Sequence, residues 1–167
     1  MQVFKFGGAS VKNVASVLQK IGYEKTLIVI SAMGKTTNAI EVIIDNYFNN
    51  ISELQSSIQD VKKYHNAILL DLFDNEQHLV FKRVSSLFDE LSSFFDRNKS
   101  PDYNFVYDQT IGFGELASSI IVSEYFNHIG IKNNWFDVRE YIKTDNYYRS
   151  ANVNWDETQQ TITSKFN

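Results

Sequence analysis

Residues 26–38 read Thr26-Leu27-Ile28-Val29-Ile30-Ser31-Ala32-Met33-Gly34-Lys35-Thr36-Thr37-Asn38. The first five form a continuous, largely β-branched run of the kind found in strands buried on both faces. The residues after them are small or hydroxyl-bearing, which suits a turn at the carboxyl end of a parallel strand, where open α/β sheets place their ligands. Gly34-Lys35-Thr36 invites a P-loop reading, but that pattern requires a glycine five residues earlier, and Val29 stands there.

Upstream, Gln2-Val3-Phe4-Lys5-Phe6 alternates in β-forming residues and is broken by Gly7-Gly8, after which Ser10 can cap a helix carrying Val14, Val17, Leu18 and Ile21 at helical spacing. Strand, glycine turn, helix and second strand make a parallel βαβ unit. A lysine at a strand end, followed by two glycines and a hydroxyl residue at a helix start, is an anion cradle. Glycine lets backbone N–H groups close on a phosphate, the helix start adds partial positive charge, and the ammonium offsets charge on a transferring phosphoryl group.

Downstream, Ile40, Ile43, Ile44 and Tyr47 continue at helical spacing, and Leu54, Ile58, Val61, Ile68, Leu69 and Leu72 predict a second helix. Val80, Val84, Leu87, Phe88, Leu91, Phe94 and Phe95 make the clearest amphipathic stripe, ended by Arg97-Asn98-Lys99-Ser100-Pro101. The stripe reads as helix packing rather than a cofactor site, and residues of about 50–100 form an all-helical insertion. A further helix is predicted from Phe113 to His128, closed by Gly130, and Ile131 to Val138 returns to strand. Beyond Tyr141 the chain is polar and weakly patterned. Gly112-Phe113-Gly114-Glu115 places a carboxylate in the first turn of a helix, a position the helix dipole favours even without a ligand.

Composition narrows the function classes. In 167 residues, 43% apolar and 22% charged, there is material for one globular domain and no signature of disorder. A net charge of −4 with scattered lysine and arginine offers no footprint for nucleic acid. The absence of cysteine removes disulfides, thiolate metal sites and cysteine nucleophiles. No secretory segment or membrane span is legible, so the expected location is cytoplasmic. His65, His78 and His128 lack metal-ligand spacing, no metal site is expected, and Asp137 with Arg139 reads as a structural ion pair or cap.

Three segments, Lys5 to Val11, Val29 to Asn38 and Gly112 to Ser118, together resemble the aspartate kinases of the amino acid kinase superfamily. Trp135-Phe136-Asp137-Val138-Arg139 and Thr144-Asp145 reinforce the likeness, and order and separation agree across nearly the whole chain. The resemblance implies a three-layer αβα sandwich around a mainly parallel sheet, with residues 1–167 the N-terminal portion of a single kinase domain. It implies transfer of the ATP γ-phosphoryl group to the β-carboxylate of L-aspartate, the first step towards lysine, threonine and methionine, with Mg²⁺ held by the nucleotide.

Carried over residue by residue, the resemblance makes Lys5 the catalytic contact to the transferring phosphoryl group. Gly7, Gly8 and Ser10 shape the phosphate turn, Ser31 and Thr37 line the substrate pocket, and Glu115 holds the amino group of aspartate. A carboxylate acceptor is already nucleophilic, so such chemistry is positioning plus charge neutralisation. Two departures stand out. Ala9 occupies a position where the family usually carries threonine, and the family's glycine-rich Gly-Arg-Gly-Gly-Ser-Asp stretch, with its arginine for the substrate α-carboxylate, is absent from these residues. Regulatory ACT domains are absent too. The expectation is an incomplete domain, inactive by itself and forming a homo-oligomer. The alternatives are another phosphotransferase of the superfamily or a non-catalytic, self-associating module.

Overall fold

The computed structural model describes residues 1–8, 10 and 25–166; the helix expected through Val14 to Ile21, and the Ala9 and Val11 positions, lie outside them. Strand β1 (Gln2–Phe6) pairs in parallel with β2 (Thr26–Ile30), in a register that sets Lys5 beside Val29 and Phe6 beside Ile30. Parallel pairing and both strand positions agree with the sequence reading. Burial on both faces does not. Phe4, Phe6, Ile28 and Ile30 pack into the core, whereas Val3, Leu27 and Val29 are 58%, 41% and 44% exposed. The alternation of a strand puts these three, with Lys5, on the opposite face, and the described helix that meets β2 packs from the core side.

Helix α1 (Thr36–Asn49) buries Ile40, Ile43 and Ile44 completely, and α2 (Ile51–Leu72) answers with Leu54, Ile58, Val61, His65 and Leu69. These spacings of three and four residues lay one stripe along each helix, so the two pack side by side. Asn50 makes the corner between them. Helix α3 (Leu79–Arg97) is capped by His78, whose Nδ1 accepts from the Val80 N–H at 3.2 Å, and it buries Val80, Val84, Phe88, Leu91 and Phe95 against α2 and the next long helix. Within about residues 50–100 the regular structure is helices α2 and α3, and the aromatic stripe of α3 is packing.

Asp102 then accepts from the Asn104 and Phe105 amides and starts a short helix, α4 (Tyr103–Thr110), that periodicity did not predict. Helix α5 (Phe113–His128) is the centre of the molecule, buried around most of its circumference because it meets α1, α2, α3 and β2 together. It ends in a Schellman arrangement. Gly130, at φ +84°, donates to the Asn127 carbonyl, and the Ile131 amide reaches back to Phe126 at 2.7 Å.

The strand expected over Ile131 to Val138 does not form. Its side chains are bonded to α5 instead: Asn133 Nδ2 donates to the Ser123 carbonyl and Asn127 Oδ1, and the Trp135 indole donates to Ser119 Oγ. Arg83 stacks over the Trp135 ring at 4.7 Å and pairs with Glu124 at 3.0 Å, which binds this run to α3 and α5. The polar tail is more ordered than its pattern suggests. Short 3₁₀ turns cover Val138–Glu140 and Tyr148–Ser150, an isolated bridge joins Thr144 to Val153, and a final helix α6 covers Trp155–Phe166. The described residues thus form a mostly helical body with a two-stranded parallel sheet at its side, and no helix among them is long and apolar enough to cross a membrane.

Candidate active site

Because β1 and β2 run parallel in register, both chains leave the sheet at the same end. The Ser31 amide donates to the Phe6 carbonyl at 3.1 Å, and the Gly34 amide to Gly8 at 3.4 Å, so the two turns lie against each other. A side chain at position 8 would put its Cβ 2.8 Å from the Ala32 oxygen and 3.0 Å from the Gly34 oxygen, closer than carbon normally approaches either. Lys5 Nζ folds back to 3.8 Å from where a Gly7 Cβ would stand. Ser10 closes the first turn, its amide and its hydroxyl both donating to the Gly7 carbonyl at 2.9 and 3.0 Å. That hydroxyl retains lone pairs but its proton is committed.

The second turn is fixed to α5. The Met33 amide donates to Ser118 Oγ at 2.7 Å, and the same hydroxyl donates to the Gly114 carbonyl at 2.9 Å, one turn back along the helix. Thr36 is buried and bonds its hydroxyl to the Met33 carbonyl at 2.6 Å. Gly114 is tight, since an added Cβ would lie 3.0 Å from both the Ala32 Cβ and the Thr36 Cγ2. Gly112 is not: nothing lies within 4 Å of a Cβ there, and its φ is −72°. Glu115, beside Gly114, is half-buried and has no hydrogen bond or ion pair among the described residues. Ser31 and Thr37 flank the same turn, half-buried and without a side-chain hydrogen bond among the described residues.

The backbone therefore brings together the three segments that carry the candidate residues. Lys5, Gly7, Gly8 and Ser10 belong to the first turn, Ser31 and Thr37 flank the second, and Glu115 rises from the helix start packed on it. The offering is an ammonium group, turn amides, hydroxyls and one uncommitted carboxylate, a set that suits an anion together with an amino group.

The other polar groups are used structurally. Asp137 and Arg139 hold each other by a bidentate pair with contacts of 2.6 to 3.1 Å. The guanidinium holds the Asp137 carboxyl below its ordinary value, against a smaller opposing effect of burial. Asp145 accepts from the Tyr147 and Asn152 amides and from Asn152 Nδ2, and so organises the loop between Thr144 and Val153. His65 is buried, His78 is a cap, and His128 stacks on Phe73. Among the described residues no group of three His, Cys, Asp or Glu could hold a metal ion.

Two residues outside the sequence-derived set touch this region. Ser118 was within reach of sequence reasoning, since it lies four residues after Gly114 and so on the same helix face. Tyr64 left no signal, because its contact with Gly34 depends on how α2 packs.

No family model matches the chain. It is 31% identical over 157 residues to aspartokinase 1 of Arabidopsis thaliana, a match that takes in 87% of this chain and 27% of that protein. It is 29% identical over 160 residues to the Arabidopsis bifunctional aspartokinase/homoserine dehydrogenase 1, covering 83% of this chain and 16% of the relative. The chain thus spans well under a third of the curated relatives it matches. Escherichia coli aspartokinase III, solved with lysine and aspartate and also with aspartate and ADP, superposes with TM-scores of 0.86 and 0.85 at 19% identity. Each superposition covers 99% of this chain and 37% of that one, so the fold is shared over nearly the whole length. Sequence and backbone agreement together place this chain in the aspartokinase family, as a match to one portion of its members.

Proposed function

We propose that these residues are the phosphoryl- and aspartate-recognising part of an aspartate kinase, the N-terminal portion of a domain built as a three-layer αβα sandwich. The reading is supported above all by the close approach of Gly8 to the Ala32 and Gly34 oxygens, which brings the lysine-bearing turn against the hydroxyl-bearing one. In this reading Lys5 draws off the charge that builds on the transferring group. The amides around Gly7 and Gly8 receive phosphate oxygens, Ser31 and Thr37 hold the amino acid, and Glu115 accepts from its ammonium group.

When bound, ATP would supply the γ-phosphoryl group and leave as ADP. The group that suits a polyphosphate is the Lys5 ammonium, whose Nζ lies 3.8 Å from where a Gly7 Cβ would stand, beside the glycine turn. With no acidic metal cage among the described residues, Mg²⁺ would be carried on the nucleotide. The acceptor carboxylate of aspartate needs no proton removed at neutral pH, so the work of Lys5, the turns and Glu115 is alignment and charge neutralisation.

The test is acyl-phosphate formation from ATP and L-aspartate, trapped as the hydroxamate. The 167-residue chain is expected to show none. A longer chain that includes the family's glycine-rich segment should turn over, and Lys5→Met in it should lower kcat by about a hundredfold or more. Preference of the longer chain for another acceptor, or full activity of Lys5→Met, would remove the assignment.

A further inference from the structure

Gly34 stands in the middle of the turn flanked by Ser31 and Thr37, at φ +55°. A side chain there would be strained by the backbone alone, and its Cβ would also collide with the hydroxyl of Tyr64. Tyr64 comes from α2, inside the helical insertion, thirty residues along the chain. With Lys35, Thr36, Val42 and Asp60 it borders an open cavity of about 340 Å³ between α1 and α2. The ring is itself seated edge-on against His65 at 5.2 Å, and His65 packs on Phe88 of α3. The turn is thus bonded on two sides, by Gly8 through the Gly34 amide and by Ser118 through the Met33 amide, while on a third the hydroxyl of the 44% exposed Tyr64 lies against Gly34 without a hydrogen bond of its own among the described residues.

We infer that Tyr64 is a positioning residue for the site: by seating its hydroxyl against Gly34, it fixes the left-handed turn and through it the affinity for an amino-acid ligand. The helical insertion, which carries none of the candidate ligand contacts, then has a direct part in the site. The link to ligand affinity rests on the function proposed above; the link to turn shape does not.

The turn shape can be read on the 167-residue chain. Hydrogen exchange follows the Gly34 and Thr36 amides, which are bonded to Gly8 and Met33 in the folded turn. Tyr64→Ala is expected to speed their exchange at least tenfold while the amides of α5 keep their protection; Tyr64→Phe, which keeps the ring, should give a smaller change. Gly34→Ala should cost less protection in a Tyr64→Phe background than in the unaltered chain, because the hydroxyl it would strike is gone. If Tyr64→Ala unfolds the whole chain, that comparison of backgrounds decides. Equal cost in both backgrounds, or unchanged turn exchange in a folded Tyr64→Ala, overturns the assignment.

Calorimetric titration with L-aspartate separates the two claims. Absence of binding to the longer chain that includes the glycine-rich segment would count against the ligand reading and leave exchange to decide on Tyr64. If aspartate binds, Tyr64→Ala should weaken it at least fivefold, and unchanged affinity overturns the inference.

Discussion

At the scale of single residues, the site is held by few atoms, and Ser118 Oγ is the one most exposed to loss. It accepts the Met33 amide and donates to Gly114, and no water can reach it because Ser118 is fully buried. Ser118→Ala would strand a buried N–H, which costs about 1–3 kcal/mol. The expected result is a lower urea midpoint, together with faster exchange of the Met33 amide. Ser119 offers a contrast one residue on, since its hydroxyl receives the Trp135 indole in a part-buried place that water can partly replace. Ser119→Ala should cost about 1 kcal/mol or less and leave Met33 untouched. Equal losses from the two variants would contradict the view that Ser118 joins the turn to α5. At position 8 the argument is steric. Gly8→Ala must displace two carbonyl oxygens rather than a flexible side chain, so it should disturb both turns at once, seen as shifted amide resonances from Phe6 to Lys35 with the α3 resonances in place.

At the scale of elements, stability lies in the stripes. Phe88 is fully buried at the centre of α3, against His65 and the facing helices, so Phe88→Ala should cost about 3–5 kcal/mol in chemical denaturation. Val42, 54% exposed at the rim of the open cavity between α1 and α2, should lose no more than about 0.5 kcal/mol on the same change. The contrast explains what was legible in the sequence. Helices α1, α2, α3 and α5 each carry four or more apolar residues at spacings of three and four, and strands β1 and β2 are dense in β-formers. Those signals are local. Helix α4 is eight residues long and buries only Val106 and Thr110, too few to set a period. Helix α6 buries Thr158 alone; it is held by the Lys143 amide on Thr158 Oγ1 and by Phe166 packing edge-on against Phe136 at 4.9 Å, neither of which has a periodic trace. Residues 131–138 have strand-like composition, but a strand needs a ladder partner, and their side chains are engaged with α5. The site shows the same division. Each glycine- or hydroxyl-bearing segment was legible where it stood, whereas the bond from Met33 to Ser118 spans 85 residues and follows only from packing.

For the whole molecule, the acid side of the stability profile draws on His65 and Asp137, set in different surroundings, and on Asp145, whose carboxyl the Asn152 side chain holds below its ordinary value. His65 is fully buried between Tyr64 and Phe88; its Nδ1 bonds the Val61 carbonyl at 2.8 Å, which requires the proton there, and its Nε2 has no hydrogen-bond partner. Burial pushes its pKa below the ordinary 6.5, and the bond to Val61 opposes this more weakly. A folded pKa below the unfolded one means the unfolded chain takes up the proton first as pH falls. The stability that depends on neutral His65 is therefore complete above about pH 6.5 and is lost below it, at no more than about 1.4 kcal/mol per pH unit for one proton. Asp137 acts lower. Its carboxyl is held below 3.8 by Arg139, so that contribution is intact above 3.8 and disappears as pH falls through the lowered value. Urea midpoints measured from pH 7.5 to 4.5 should decline from about 6.5 in the unaltered chain, while His65→Leu, which keeps an apolar group in the pocket and cannot titrate, should give a flatter limb over that span. Arg139→Gln should leave that limb alone and, in midpoints carried down to about pH 3, shrink the step below about pH 4, leaving the part due to Asp145. Parallel profiles for the unaltered chain and His65→Leu would mean that the proton uptake resides elsewhere. The histidine at the back of Tyr64 would then have no part in the acid response of the helical layer that supports the turn.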